Sequence, residues 1–241
     1  MLVVGLTGGI ATGKSTVSSL LKARGYPIID ADVLAREAVL PGTSAYAAIV
    51  KTFGKEILQS DGYLDRKKLG AAVFSDEGKR KWLNGIVHPA VRRAMVWGVI
   101  RAWVRGEKVC IVDVPLLIET GLWKWVGKVV VVYTSAEIQL QRLMKRDGST
   151  REEASSRLNS QLPIAEKLPY ADHVVENSGT LMELEGETQL LINRLDRDSG
   201  GLTWLLCWLI PPIGIFFGLK SLTPRWLKKE KGRFSGKRRG S

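Results

Sequence analysis

Residues 8–15 read Gly8-Gly9-Ile10-Ala11-Thr12-Gly13-Lys14-Ser15, and they follow directly on the apolar run Leu2-Val3-Val4-Gly5-Leu6. A G-x-x-x-x-G-K-S segment placed this way demands a strand, a tight glycine loop and then a helix. The glycines let the backbone turn its N–H groups around phosphate oxygens, and the helix opening near Lys14 adds its positive dipole end. In such a loop the lysine reaches the β- and γ-phosphates and the serine hydroxyl ligates Mg²⁺. The first expectation is therefore an α/β nucleotide-binding fold whose loop runs from Gly8 to Thr16.

The following residues extend that pattern. Ser15 to Arg24 reads as a helix with Val17, Leu20 and Leu21 inward and Gly25 as its stop. The short strand Pro27-Ile28-Ile29 runs into Asp30-Ala31-Asp32. This βαβ unit implies a parallel sheet with its ligand crevice at the carboxyl ends of the strands, so Asp32 and the loop are expected to face one crevice. Asp32 also suits the N-cap of a helix from Val33 to Val39. Residues 41–105 read as helical throughout, with segments at Ser44–Phe53, Arg66–Phe74, Asp76–Asn84 and Pro89–Trp103, an insertion suited to a second-substrate pocket. Arg66, Lys67, Lys68, Arg92 and Arg93 could meet an anion there or simply face solvent.

Val109 to Val112 is a continuous apolar run ending in Asp113, the pattern of a buried parallel strand delivering a metal-binding carboxylate. Pro115 to Glu119 reads as a turn into a short helix, with Glu119 pointing either into the cleft or to solvent. The nearly all-valine strand Lys128–Tyr133 lacks a following Asn-Lys-x-Asp, which counts against a GTPase. Helices at Ala136–Arg146 and Thr150–Gln161 meet at Asp147-Gly148 and carry Arg142, Arg146 and Arg157. Two arginine-bearing helices on a glycine turn suit a lid over residues 142–162 that neutralises the transferring phosphate and excludes water. The competing local reading pairs Glu153 with Arg157 at i,i+4. A fifth strand, His173-Val174-Val175, precedes Asn177 and a helix from Leu181 to Leu195. His88 and His173 both read as structural.

The formal charge of +12 invites a nucleic-acid reading until it is located. Residues 220–241 hold nine basic side chains against the single acid Glu230, so +8 of the +12 lies there and only +4 on residues 1–219. With no aromatic platform within that tail, no nucleic-acid partner is expected. Residues 199–219 carry no charge in 21 positions. Their apolar core, 202–219, makes about 27 Å of helix against a hydrocarbon thickness of about 30 Å, and Pro211-Pro212 interrupts it. A hairpin or monotopic membrane anchor at 199–219 followed by a disordered basic tail is expected, leaving both the body of the chain and the tail on the cytosolic side. The endoplasmic reticulum and the mitochondrial outer membrane are the candidate locations. No N-terminal targeting peptide is expected, because the phosphate-loop strand already begins at Leu2. Cys110 and Cys207 have no metal or redox spacing, which fits a reducing compartment.

Taken together the motifs resemble the dephospho-coenzyme A kinase family. The matching pieces are Gly5 to Ile10 running into Gly13 to Thr16, Asp30-Ala31-Asp32 with Ala35-Arg36, His88-Pro89, and the Asp113-x-Pro115-Leu116-Leu117-x-Glu119 run. Arg142 to Arg146 with Gly148, Arg157 with Gln161, and Ala171-Asp172 leading to Asn177 complete the series in family order over residues 1–195. The resemblance implies a five-stranded parallel P-loop kinase fold with a helical coenzyme A-binding insertion (41–105) and a helical lid. It implies transfer of the ATP γ-phosphoryl to the ribose 3′-hydroxyl of dephospho-coenzyme A, with Mg²⁺. It assigns catalysis to Asp32, Lys14, Arg142 and Arg146, metal contacts to Ser15 and Asp113, and ATP contacts to Gly8–Thr16 and Asn177. Asp32, Arg36, His88, Leu116, Glu119 and Arg157 become substrate contacts. Ala11-Thr12 stand where many members have Gly-Ser, and everything after Ser199 departs from the compact bacterial form toward an extended eukaryotic-type one. The alternatives are another P-loop nucleoside or nucleotide kinase, or a membrane-tethered ATP-binding regulator. The presence of Lys14, Ser15, Asp32 and Asp113 together argues against a mere binder.

Overall fold

The computed structural model describes residues 1–74 and 76–199. In chain order these form β1 (Leu2–Gly8), α1 (Lys14–Ala23), β2 (Ile28–Asp30), α2 (Ala31–Glu37), α3 (Ser44–Phe53), α4 (Arg66–Phe74) and α5 (Glu77–Val104). Next come β3 (Val109–Asp113), β4 (Lys128–Tyr133), α6 (Ala136–Asp147), α7 (Arg151–Asn159), α8 (Ile164–Lys167), β5 (His173–Glu176) and α9 (Leu181–Ser199). The expected anchor and basic tail at 200–241 lie outside the described residues, and no helix among the described residues is long and apolar enough to cross a membrane.

The five strands form one sheet in the order β2-β3-β1-β4-β5, with β1 parallel to β3 and β4, and β4 parallel to β5. All five residues of β3 are buried, as are Val129 to Val132 of β4, because helices cover both faces of such a sheet. That is why these strands read as unbroken apolar runs. One side of the sheet closes over Val4, Leu6, Val17, Leu21, Val130 and Val132 together with Leu184, Leu191, Ile192 and Leu195 of α9. Those α9 positions repeat at helical spacing, so one stripe of the final helix seals the core. The sequence carries α9 four residues past the expected end at Leu195.

The chain divides into two compact units, Met1–Ile28 with Ala102 onward, and Ile29–Arg101. The helical unit is thus wider at its start than the expected insertion over 41–105. It has its own apolar cluster around Ile49, Phe53, Ile57 and Leu64.

Three expectations for this unit change. Asp30, not Asp32, caps α2: its extended backbone (φ −88°, ψ 115°) lets the carboxylate accept from the N–H groups of Asp32 and Val33. Asp32 sits in the first helical turn. The two helices expected at 76–84 and 89–103 are one 28-residue helix, α5, with Pro89 inside. A proline removes one N–H and crowds the carbonyl four residues back, which is costly but local. With three turns before it and four after, the helix continues through. Finally, the stretch 54–65 is not purely helical: a 3₁₀ turn at Lys55–Ile57 leads to a single antiparallel bridge between Leu58 and Leu64.

Candidate active site

The phosphate loop leaves β1 at Gly8 and enters α1 at Lys14, with Gly13 as the helix N-cap in the left-handed region (φ 85°). Ala11 also has positive φ (60°), the one non-glycine residue to do so among those described. Thr12, fully buried, folds its hydroxyl back onto the Gly9 carbonyl at 3.0 Å, closing the loop on itself. Glycine is required where neighbours crowd the backbone. A Cβ on Gly13 would lie 2.1 Å from Asn177 Nδ2, and one on Gly9 would lie 2.4 Å from Gln139 Oε1. A loop so clamped presents its free N–H groups without further ordering, which suits an anion.

The strand register brings the acid to the loop. Asp113, the last residue of β3, pairs with Leu6 two positions before Gly8, and its carboxylate is almost wholly buried. Lys14 Nζ, on the first residue of α1, forms an ion pair with Asp113 Oδ1. The ammonium that would grip a phosphate is therefore held at the end of β3. Ser15 follows on the exposed side of the same turn.

This donor set fits Mg²⁺. The ion demands few protein ligands, typically one or two carboxylates or hydroxyls completed by phosphate oxygens and water. No cluster of three acidic, histidine or cysteine residues that could hold a metal alone occurs among the described residues.

Asn177 was expected at the nucleotide. The structure places it behind the loop, 7% exposed, where Nδ2 donates to the Thr12 carbonyl at 2.7 Å. It thus meets the site through the loop backbone.

Glycine 148 ends α6 in a left-handed conformation (φ 61°), and Thr150 opens α7 with a reciprocal capping box to Glu153. The box takes the Glu153 carboxylate, so the competing Glu153–Arg157 pair is not formed. Instead Asp147 holds two of the three lid arginines: Arg146 Nε lies 2.7 Å from Oδ1, and Arg157 donates to Oδ2 at 2.6 Å. The hydrogen bond from Arg146 holds the Asp147 carboxyl below the usual carboxylate range. Both guanidinium groups remain more than half exposed. They can exchange this carboxylate for a phosphate at modest cost, because exposed pairs of this kind are weak. Arg142 lies one turn earlier on α6, half-buried.

Pro115 to Thr120 is a sequence of turns rather than a helix, and the short helical element falls later, a 3₁₀ turn at Leu122–Trp125. Leu116 is 40% exposed. Glu119 stays partly exposed, and its Oε1 is ion-paired at 2.8 Å with Lys167, a residue that the motifs did not single out. Ile164 and Lys167 are three apart on one face and both are buried, but nothing in the sequence distinguishes this lysine from a solvated one. Cys110 is buried in β3, which pushes its thiol up to about 12 and leaves it unreactive. Asp32, Arg36 and His88 belong to the helical unit, all three exposed, with His88 inside α5 rather than at a helix start.

A β1 loop at the centre of a parallel sheet, facing a strand-end acid on one side and an arginine-bearing helix pair downstream, defines the class: a P-loop kinase. Solved structures agree. The dephospho-CoA kinase from Campylobacter jejuni superposes with a TM-score of 0.66 at 30% identity, covering 82% of this chain and 98% of that one. The family model described as dephospho-CoA kinase matches residues 2–183. The dephospho-CoA kinase of Geobacillus kaustophilus is 52% identical over 196 residues, 81% of this chain and 97% of its own length. The Arabidopsis thaliana dephospho-CoA kinase is 44% identical over 208 residues, 86% of this chain and 88% of its own. The chain belongs to the dephospho-CoA kinase family.

Proposed function

We propose that this protein transfers the γ-phosphoryl group of ATP to the ribose 3′-hydroxyl of dephospho-coenzyme A, giving coenzyme A and ADP. The observation that carries it is the clamped Gly8–Thr16 loop with Lys14 paired to Asp113, in a chain of this family. In the step, the 3′-oxygen forms a bond to the γ-phosphorus while the β–γ bridging P–O bond breaks, and the hydroxyl proton leaves to the Asp32 carboxylate or to solvent. Lys14 transfers from Asp113 to the phosphates, and the loop N–H groups hold the β-phosphate oxygens. Ser15 and Asp113 would hold Mg²⁺, which would supply charge neutralisation. Arg142, Arg146 and Arg157 close on the transferring group and exclude water that would otherwise accept it. Phosphoryl transfer asks the protein mainly for positioning and charge neutralisation, so Asp32 acts mainly by orienting the hydroxyl. Arg36, His88, Leu116 and Glu119 contribute to the acceptor side, Glu119 through the turn that Lys167 anchors. The test is ADP release with a panel of acceptors. Dephospho-coenzyme A should give the highest kcat/KM. Activity confined to nucleosides or nucleoside monophosphates would make the protein a different P-loop kinase, and ATP binding without turnover would make it a regulator.

We further propose that residues 199–241 hold the enzyme on the cytosolic face of an intracellular membrane. The support is compositional: 21 uncharged residues precede nine basic ones. Each basic residue near an anionic surface contributes about 1 kcal/mol before screening. The full-length protein should float with vesicles containing phosphatidylserine, and less so in high salt. An epitope at Ser241 should be cleaved by protease added outside intact organelles; its protection would mean a full span and contradict the hairpin.

A further inference from the structure

Lys167 is fully buried, the least expected place for an ammonium group. Its Nζ meets three oxygens: Glu119 Oε1 at 2.8 Å, the Pro115 carbonyl at 3.1 Å and the Gly8 carbonyl at 3.3 Å. An ammonium has three N–H donors, so the set is complete. The oxygens come from two separate segments, the end of β1 and the turn after β3. Thr7 Oγ1 adds a second donor to the Pro115 carbonyl at 2.9 Å. Lys167 thus ties the root of the phosphate loop to the turn that follows Asp113.

The Gly8 carbonyl is half of the first peptide of the loop. In a trans peptide the C=O and the next N–H point in opposite directions. Holding the Gly8 oxygen toward Lys167 therefore directs the Gly9 N–H the other way. Gln139, itself 4% exposed and donating to the Thr134 carbonyl, lies so near Gly9 that a Cβ there would sit 2.4 Å from its Oε1. With no exposure and its donors engaged, Lys167 is not placed to touch a nucleotide.

We propose that Lys167 is a positioning residue for the phosphate loop: it fixes the Gly8–Gly9 peptide so that the first loop donor is oriented before ATP arrives, and Glu119 compensates its buried charge. A charged donor is needed because charge-assisted hydrogen bonds hold orientation more strongly than neutral ones. Glu119 then serves the loop as counter-ion, whatever else it does.

The inference rests on the reading that ATP phosphates occupy the 8–16 loop, and the variants separate the two. ATP affinity with Mg²⁺ is measured by calorimetry, and melting temperature alongside, for Lys167→Met, Lys167→Met/Glu119→Gln, Glu119→Gln and Lys14→Ala. Lys167→Met leaves the Glu119 carboxylate and the Gly8 carbonyl without their shared donor, so it should melt lower and bind ATP about tenfold more weakly, the scale of losing one charged hydrogen bond. The double variant removes the stranded charge. Its melting temperature should recover while its ATP affinity stays about tenfold weak, and kcat at saturating ATP should change less than KM for ATP. Recovery of affinity together with melting temperature would overturn the proposal, since a merely structural lysine predicts that the two move together. Unchanged ATP affinity in Lys14→Ala would remove ATP from this loop and overturn the underlying reading with it. Weakened binding in Lys14→Ala beside wild-type binding in the double variant would overturn the positioning role alone.

Discussion

Lys14→Ala should reduce kcat by a factor on the order of 10²–10³, the loss seen when one preorganised donor to a developing charge is removed. It should weaken ATP binding as well. Lys14 is the first residue of α1, and its ammonium is already held at the end of β3 by Asp113. Removing it takes away both the cation that would follow the γ-phosphate and a partner of a buried carboxylate. The second effect leaves excess negative charge beside a site that must accept a triphosphate. Asp113 is 2% exposed, so that charge is poorly screened by water. The measurements are steady-state kinetics and calorimetric ATP affinity, with a melting curve to confirm the fold. An ATP affinity equal to wild type would show that the phosphates do not rest on this lysine.

Asp32→Asn should separate the two functions that Lys14→Ala damages together. Asp30, not Asp32, caps α2, so replacing Asp32 does not remove the cap. Asp32 is exposed in the first helical turn and accepts no hydrogen bond that the helix requires, so the amide should fold normally. The amide keeps the shape but loses the charge that orients and accepts from the acceptor hydroxyl. Turnover should fall by a factor on the order of 10²–10⁴, the range for general-base or orienting carboxylates, with ATP affinity nearly intact. Equal loss of ATP affinity in the two variants would make Asp32 a structural or metal-site residue instead.

These predictions depend on details that the sequence disclosed unequally. The buried strands were legible because β3 and β4 are covered on both faces and so are apolar without interruption. The loop was legible because its chemistry fixes residue types at fixed spacing. Where two local solutions were chemically equivalent, the pattern could not choose. Asp30 and Asp32 are both competent caps, and only the backbone angles at Asp30 decide between them. Arg157 had an acidic neighbour four residues before it, but Glu153 was taken by the capping box and Asp147 from the previous helix was nearer. Pro89 looked like a boundary because the local rule ignores the length of helix on either side. Lys167 was invisible for another reason. Its partners Gly8, Pro115 and Glu119 lie 159, 52 and 48 residues away, so only the fold assembles the site.

The central claim is that this chain phosphorylates a particular hydroxyl. Incubating the full-length protein with ATP, Mg²⁺ and dephospho-coenzyme A, and following the product by phosphorus NMR, tests it most directly. One new phosphomonoester signal assigned to the ribose 3′ position should grow in step with ADP. ADP formed without that ester, or an ester at the 2′ position, would contradict it.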